Sequence, residues 1–320
     1  MKRLGVVLAG LVLGAALAAP WLALYPAGQQ HRDFLYAPPM PLRIIDATGH
    51  TRAPFIYPLR LVNRLSRTYE EDRTRPVRLL WFSGGRVLAP ASAADGPWFP
   101  LGADGLGRDM WSRLVLGSRL SLGLAVVASL GAIGLGTLLG GWAGIRRGLV
   151  DEVIMRASEL VLVLPVLYVV LALRAALPLV LPDAALFIAL AGVLSLVGWP
   201  AVARGVRAIV ASEASRDYVA AARAAGAGRW RLLVRHVLPA AFPFLGTQAL
   251  LLAPAFVLAE ATLSYVGLGF MPPASSWGTM LQDAANVRAI ADFPWVLAPA
   301  ASLALVVLAL NLVLEDERGR

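Results

Sequence analysis

The sequence predicts an all-α polytopic membrane protein of about six transmembrane helices, with a small mixed extracytoplasmic domain between the first and second. Three observations predict it. The 320 residues are 58% hydrophobic and only 15% charged, whereas soluble domains carry about a quarter charged residues. Apolar runs of bilayer length recur, separated by short arginine-rich segments. One long stretch, from Tyr25 to Arg119, breaks this pattern with proline, arginine and turn residues.

The same composition excludes other classes. Mean hydropathy is +0.68, and the net charge of +9 comes from arginines between spans rather than from a soluble basic domain, so topology explains it better than nucleic acid. With no cysteine there is neither a disulfide framework nor a thiolate metal site. Lys2 is the only lysine, so the chain cannot supply the phosphate-binding lysine of a Walker A loop, and any ATP hydrolysis must occur on a partner. His31, His50 and His236 are scattered, with no H-E-x-x-H and no G-x-S-x-G. No catalytic site, metal or cofactor is expected in this chain.

Residues 1–24 form the first span, with Lys2 and Arg3 ahead of an apolar run that begins at residue 4 and reaches residue 24. A cleaved signal peptide is the alternative, because Ala16-Leu17-Ala18 has the small-x-small form of a cleavage site. Residues 25–119 follow as the extracytoplasmic region. Leu42 to Asp46 and Val77 to Phe82 have strand character, and Ser83-Gly84-Gly85 before Arg86 to Leu88 reads as a hairpin turn. At its end, Leu101 to Asp109 reads LGADGLGRD. Asp104 and Asp109 on such a turn are capping and turn groups more often than metal ligands.

Residues 120–314 make a five-helix core. The second span, about 121–145, spaces Gly136, Gly140 and Gly144 by four, so one face admits another helix closely. A cytoplasmic loop with Arg146, Arg147 and Arg156 leads to a third span near 157–177, and a turn free of Lys and Arg at 177–183 to a fourth near 184–203. The fifth and sixth spans lie near 240–266 and 294–314, and 315–320 is a cytoplasmic tail. Both termini are expected in the cytoplasm. Arg174 and Glu260, each a costly charge at membrane depth, fall toward the outer ends of the third and fifth spans and form a candidate ion pair.

Between spans four and five, residues 204–239 carry seven arginines against Glu213 and Asp217, which makes the segment cytoplasmic. Trp230, Leu233, Val234 and Val237 recur at helical spacing, and Gly226-Ala227-Gly228 separates this run from a helical run at Ser215 to Ala225. The residues alone fit a helix-turn-helix loop or an amphipathic loop resting on anionic lipid.

Ala221-Ala222, then three residues, Gly226, then nine, His236, one more, and Leu238-Pro239 resembles the EAA loop of the membrane subunits of binding-protein-dependent ABC importers. Ala220 stands at that motif's glutamate position and His236 at its usual isoleucine. The wording DYVAAARAAGA followed by RHVLP is similar to the dipeptide, oligopeptide and nickel branch, as are LGADGLGRD at 101–109, EATLSYVGLG at 260–269, and Pro272-Pro273 with Ser276-Trp277-Gly278. The resemblance implies a type I-like importer permease. It implies ATPase coupling through Ala221, Ala222, Gly226, Trp230 and Leu233, with ATP bound by partner subunits. It also implies a homologous permease, two ATPase subunits and an extracytoplasmic solute-binding protein as partners, the bacterial inner membrane as location, and peptides as the default substrate. A secondary transporter is the competing class. It predicts inverted repeats with matched broken helices, and neither is visible.

Overall fold

The computed structural model describes residues 2–45, 50–91, 96–165, 168–169, 171–172, 178 and 181–318. Helices α1 (Lys2–Leu17) and α2 (Ala19–Leu22) precede six short strands. Then come α3 (Met110–Arg146), α4 (Leu149–Val163), α5 (Asp183–Glu213), α6 (Asp217–Ala224) and α7 (Arg229–Arg231). The chain continues through a π-helical turn (Leu232–Val237) and a 3-10 turn (Leu238–Ala241) into α8 (Phe242–Tyr265). Helices α9 (Trp277–Asp283), α10 (Val287–Asp292) and α11 (Ala298–Arg318) complete it.

Among the described residues, four helical segments are long and apolar enough to cross a membrane: Met110–Arg146, Asp183–Glu213, Arg229–Tyr265 and Pro294–Leu314. Arg3–Leu17 is a shorter apolar helix. The expected third span begins within α4, and most of its outer half lies outside the described residues. The helix that carries the expected second span starts at Met110, ahead of the apolar run near 121, with Trp111, Ser112 and Arg113 in its first turn. The extracytoplasmic candidate region therefore loses its last ten residues to α3.

Contacts divide the chain into two compact units. The first comprises Met1–Val6, Leu124–Ala259 and Ala309–Arg320. Within it the four-residue glycine spacing does what close packing requires. A Cβ on Gly136 would stand 2.5 Å from Val202 Cβ, one on Gly140 2.3 Å from the Ala203 carbonyl oxygen, and one on Gly144 2.8 Å from Val210 Cβ. Backbone thus meets α5 without an intervening side chain. Ser195 Oγ adds a polar link, donating within reach of both Ala128 O (3.0 Å) and Ala191 O (2.7 Å). Near the loop ends, Arg207 Nε donates to Asp151 Oδ1 at 2.8 Å and its Nη2 to Oδ2, a fork that joins α5 to α4.

The second unit comprises Val7–Gly123 and Glu260–Leu308. Its strands are β1 (Arg43–Ile45), β2 (Thr51–Ile56), β3 (Leu59–Asn63), β4 (Thr68–Glu71), β5 (Val77–Trp81) and β6 (Leu88–Pro90). An antiparallel sheet of order β1-β2-β5-β6 pairs Ile56 with Val77 and Trp81 with Leu88, while β3 and β4 form a separate hairpin. Ile56, Val77 and Leu79 share a core with Met40, Trp98 and Phe99, where Trp98 Nε1 donates to Met40 O at 3.0 Å. The two strands expected from sequence are β1 and β5. Strands β2 to β4 were hidden by Pro54, Pro58 and a high arginine content that blurs the alternation of period two.

The glycine face of α3 predicts a position-dependent response. Gly140→Val forces a side chain onto the Ala203 backbone and should abolish accumulation of folded protein, whereas Gly134→Ala, with nothing within 4 Å of its Cβ, should accumulate normally. Fluorescence-detected size-exclusion chromatography compares the two; equal monodisperse peaks would reject the close-packing role.

Candidate functional site

In the first unit the loop at 204–239 is built around one glycine. Helix α6 ends in a Schellman arrangement: Gly226 N donates to Arg223 O and Ala227 N to Ala222 O, both at 3.0 Å, with Gly226 at φ +83°. Among the described residues no atom lies within 4 Å of a Cβ built at 226, so the residue's conformation, not its size, is what the turn requires. Tyr218 Oη donates to Glu213 Oε2 at 2.8 Å and lies 3.2 Å from His236 O, which ties the loop's entry to its exit.

Past the turn, only Arg229–Arg231 is α-helical; Leu232–Val237 widens to a π turn, which sequence periodicity did not anticipate. Widening redistributes the faces. Leu232, Leu233 and Val237 are buried with Val219 against Val202, Val206 and Val210 of α5, while Trp230 and Val234 face outward at 57% and 44% exposure. The four apolar residues expected on one face are therefore split. Of the residues predicted to couple, Ala221, Gly226 and Trp230 are exposed, Ala222 is half-buried against this core, and Leu233 is 3% exposed. Leu233 is a buttress under the surface rather than part of it.

In the second unit, the 101–109 turn organises a buried ionic knot. Asp104 Oδ1 accepts from the amides of Leu106 and Arg108, both at 2.9 Å. Its Oδ2 receives Arg108 Nε at 2.7 Å and Arg113 Nη1, and both arginines also donate to Asp283 Oδ2 of α9, at 2.7 and 2.8 Å. Arg108 and Arg113 are almost wholly buried. Asp109 caps α3, its Oδ2 accepting from Ser112 N at 2.8 Å and from Ser112 Oγ. The two aspartates are turn and cap groups, as expected, and Asp104 is also half of an ion-pair network that sequence did not reveal, since Asp283 lies 179 residues away.

Glu260 is fully buried beside three serines. Ser264 Oγ donates to Oε1 at 2.7 Å, Ser121 and Ser276 stand next to the same carboxyl, and among the described residues none meets hydrogen-bonding geometry at Oε2. The serines connect onward: Ser264 Oγ accepts from Phe270 N, Ser121 Oγ from Trp277 N, and Ser276 forms a capping box with Thr279 at the start of α9. Gly278 lets α9 approach Ala261, whose carbonyl oxygen would be 2.5 Å from a Cβ there. The suggested partner of Glu260, Arg174, lies outside the described residues. The polar groups seen at Glu260 are hydroxyls, and the E-x-x-x-S spacing within α8 was the signal for the nearest one.

Residues 136–315 match the family described as binding-protein-dependent transport system inner membrane component. The chain belongs to this family. It is 34% identical over 304 residues to the di/tripeptide transport system permease protein DppC of Pseudomonas aeruginosa (strain UCBPP-PA14), covering 95% of this chain and 81% of that one. A probable D,D-dipeptide transport system permease protein, DdpC of Escherichia coli (strain K12), is 39% identical over 70% of this chain and 72% of its own. The oligopeptide transport system permease protein OppC of Bacillus subtilis (strain 168) is 35% identical over 68% of each. Among solved structures, an inward-facing MetNI methionine ABC transporter superposes at TM-score 0.50 with 18% identity, covering 64% of this chain and 95% of that one, which supports a shared fold. The protein is thus a multi-pass membrane permease subunit of a binding-protein-dependent ABC importer, and the secondary-transporter reading is not supported.

The capping aspartate yields a pH prediction. Burial raises the Asp109 carboxyl from 3.8 to about 7, against the opposing hydrogen bonds of Ser112. A folded-state value above the unfolded one means that its stabilising contribution is complete below pH 3.8 and is lost as pH rises to about 7. The melting-temperature gap between wild type and Asp109→Asn should therefore shift against wild type between about pH 4 and about pH 7 and level off above. A pH-independent gap in detergent would reject the assignment.

Proposed function

We propose that this permease imports peptides or related small solutes, with the 204–239 loop transmitting ATPase closure to alternating access of the membrane helices. The substrate class follows the peptide roles named for the relatives. ATP is bound and hydrolysed on two separate subunits, because this chain has one lysine, Lys2, and no phosphate loop. A homologous permease completes the translocation path, and an extracytoplasmic binding protein delivers substrate. Six spans place both termini in the cytoplasm and residues 25–109 outside.

The observation that carries the coupling role is the turn at Gly226, which presents exposed Ala221 and Trp230 on a rigidly seated scaffold. Small side chains on α6 admit a close-fitting partner, and Trp230 contributes ~1.5–3 kcal/mol when buried in a docking groove. Leu233 supports that surface from beneath.

In proteoliposomes containing the permeases, ATPases and binding protein, Trp230→Asp should weaken ATPase retention by roughly 10- to 100-fold, the equivalent of burying one aromatic side chain. Gly226→Val should uncouple, lowering substrate-stimulated hydrolysis and uptake while membrane insertion persists. Normal assembly, hydrolysis and uptake in both variants would remove the loop from the coupling path. For topology, a reporter fused after Arg320 should report cytoplasm and one within 50–90 the exterior; the reverse pattern would invert the assignment.

A further inference from the structure

The β5–β6 hairpin ends in an apolar tip that the permease fold does not cover. Trp81 is 59% and Phe82 80% exposed, and Leu80 beside them is 45% exposed. Strand alternation explains Leu80, which points away from the sheet core, but not Trp81, which follows Val77 and Leu79 on the inward side. Trp81 instead borders an open groove of about 310 Å³ lined by Leu22, Leu24, Leu88, Trp98 and Trp111. Phe82 itself has φ +53°, a conformation that bulky residues rarely take and that turns its ring out of the sheet.

The tip is fastened to the ends of membrane helices. Val87 N donates to Trp21 O at 2.9 Å, and Trp111 Nε1 of α3 donates to Leu22 O at 2.9 Å. Trp21 is 59% exposed and ends an apolar helical surface that includes exposed Val7, Leu11 and Leu17. Counted at ~1.5 Å per residue from Leu4, Trp21 lies about 26 Å along the run, close to the far edge of a bilayer core of ~30 Å. Trp295, at the start of the last apolar segment, donates to Ala103 O at 3.0 Å within the same unit. Tryptophans at the ends of apolar runs mark the headgroup zone. Arg86, in the turn, has its guanidinium 6.0 Å from the Tyr25 ring centre, at the height where lipid phosphates would be met.

We propose that the tip from Trp81 to Arg86 is a membrane-surface anchor: Trp81 and Phe82 enter the headgroup–acyl boundary of the leaflet where α1 ends, and Arg86 meets lipid phosphate. The occupant of the exposed face and its groove is phospholipid, by continuity with the lipid-facing surface of α1. The anchor holds the small sheet down against the bilayer. It rests on the reading of α1 and α3 as membrane-spanning, though not on which side of the membrane the sheet occupies. Arg119, exposed on α3 two turns beyond Trp111, is the competing mark for the lipid boundary.

The chain lacks cysteine, so one introduced thiol carries a unique probe. Nitroxide at Phe82→Cys, at Leu65→Cys on the β3–β4 tip and at Leu130→Cys in the middle of α3 would be compared in the assembled transporter. The host is phosphatidylethanolamine–phosphatidylglycerol vesicles, and the readout is accessibility to oxygen and to a water-soluble nickel chelate. The proposal expects Phe82 to be several-fold more accessible to oxygen than to nickel, with Leu65 reading as water. A Phe82 probe that matches Leu65 overturns it and leaves Arg119 at the lipid boundary. One shielded from both reagents also overturns it, because a protein subunit then covers the tip. If Leu130 reads as water, the membrane reading of α3 fails, a result separable from failure of the anchor.

Discussion

Three buried charges and a fourth at the surface, Asp283, hold one face of the second unit in place. Asp104 and Asp283 share Arg108 and Arg113, so two carboxylates neutralise two guanidiniums that are themselves almost wholly buried, with Asp283 closing the network at the solvent side. Such a network contributes little net stability over a well-packed apolar core, but loss of one member leaves an uncompensated buried charge and costs about 3–5 kcal/mol. Its value is geometric. The fork of each guanidinium fixes direction as well as distance, so the turn before α3 and the helix after α8 are held in a single arrangement. Glu260 extends the same logic deeper, with serine hydroxyls as its polar neighbours and Gly269 and Gly278 permitting the approach of the segment that supplies Ser276.

This explains which parts of the structure were legible in the sequence. Long apolar runs, arginine-rich turns and four-residue glycine spacing are local signals, and they located α3, α5, α8 and the final helix with errors mostly at their ends. Met110 to Leu120 escaped because Arg113 and Arg119 read as loop charges, while in the structure Arg113 is buried against Asp104 and Asp283. The Gly226 turn was legible because positive φ leaves a compositional trace. Strands β2 to β4 were not, since their charges, such as Glu71 that pairs with Arg43 of β1, find partners on distant segments. Motif likeness marked Glu260, Ser264 and Ser276 as notable, but their grouping is a three-dimensional fact.

The π turn is where local reasoning failed most usefully. A period of 3.6 puts Trp230, Leu233, Val234 and Val237 together. The observed widening instead sends Leu232, Leu233 and Val237 into α5 and leaves Trp230 and Val234 outside. One short segment thereby has an inner apolar face packed on α5 and a second apolar face that stays exposed, which an ideal α-helix with a single apolar stripe would not provide. Leu233 also comes near α3, where a Cβ on Gly141 would lie 3.3 Å from its Cδ1.

The inner face of the 204–239 loop has a continuous packed route into the first unit. The rings and branches beneath it are close-packed, and close-packed interiors transmit displacement instead of absorbing it. From the π turn the contacts lead to Val202, Val206 and Val210 on α5, and α5 meets α3 through glycine backbone at Gly136, Gly140 and Gly144. A glycine interface has few side-chain rotamers to yield, so α3 and α5 should shift together. The Arg207–Asp151 fork brings α4 into the same movement. Gly226 turns the chain at positive φ with its Cβ direction unoccupied among the described residues, while Val219 seats α6 in the same core as the π turn. For the coupling role proposed above this seat is the feature that matters, because a partner bound at the exposed face would act on α5 through packed side chains.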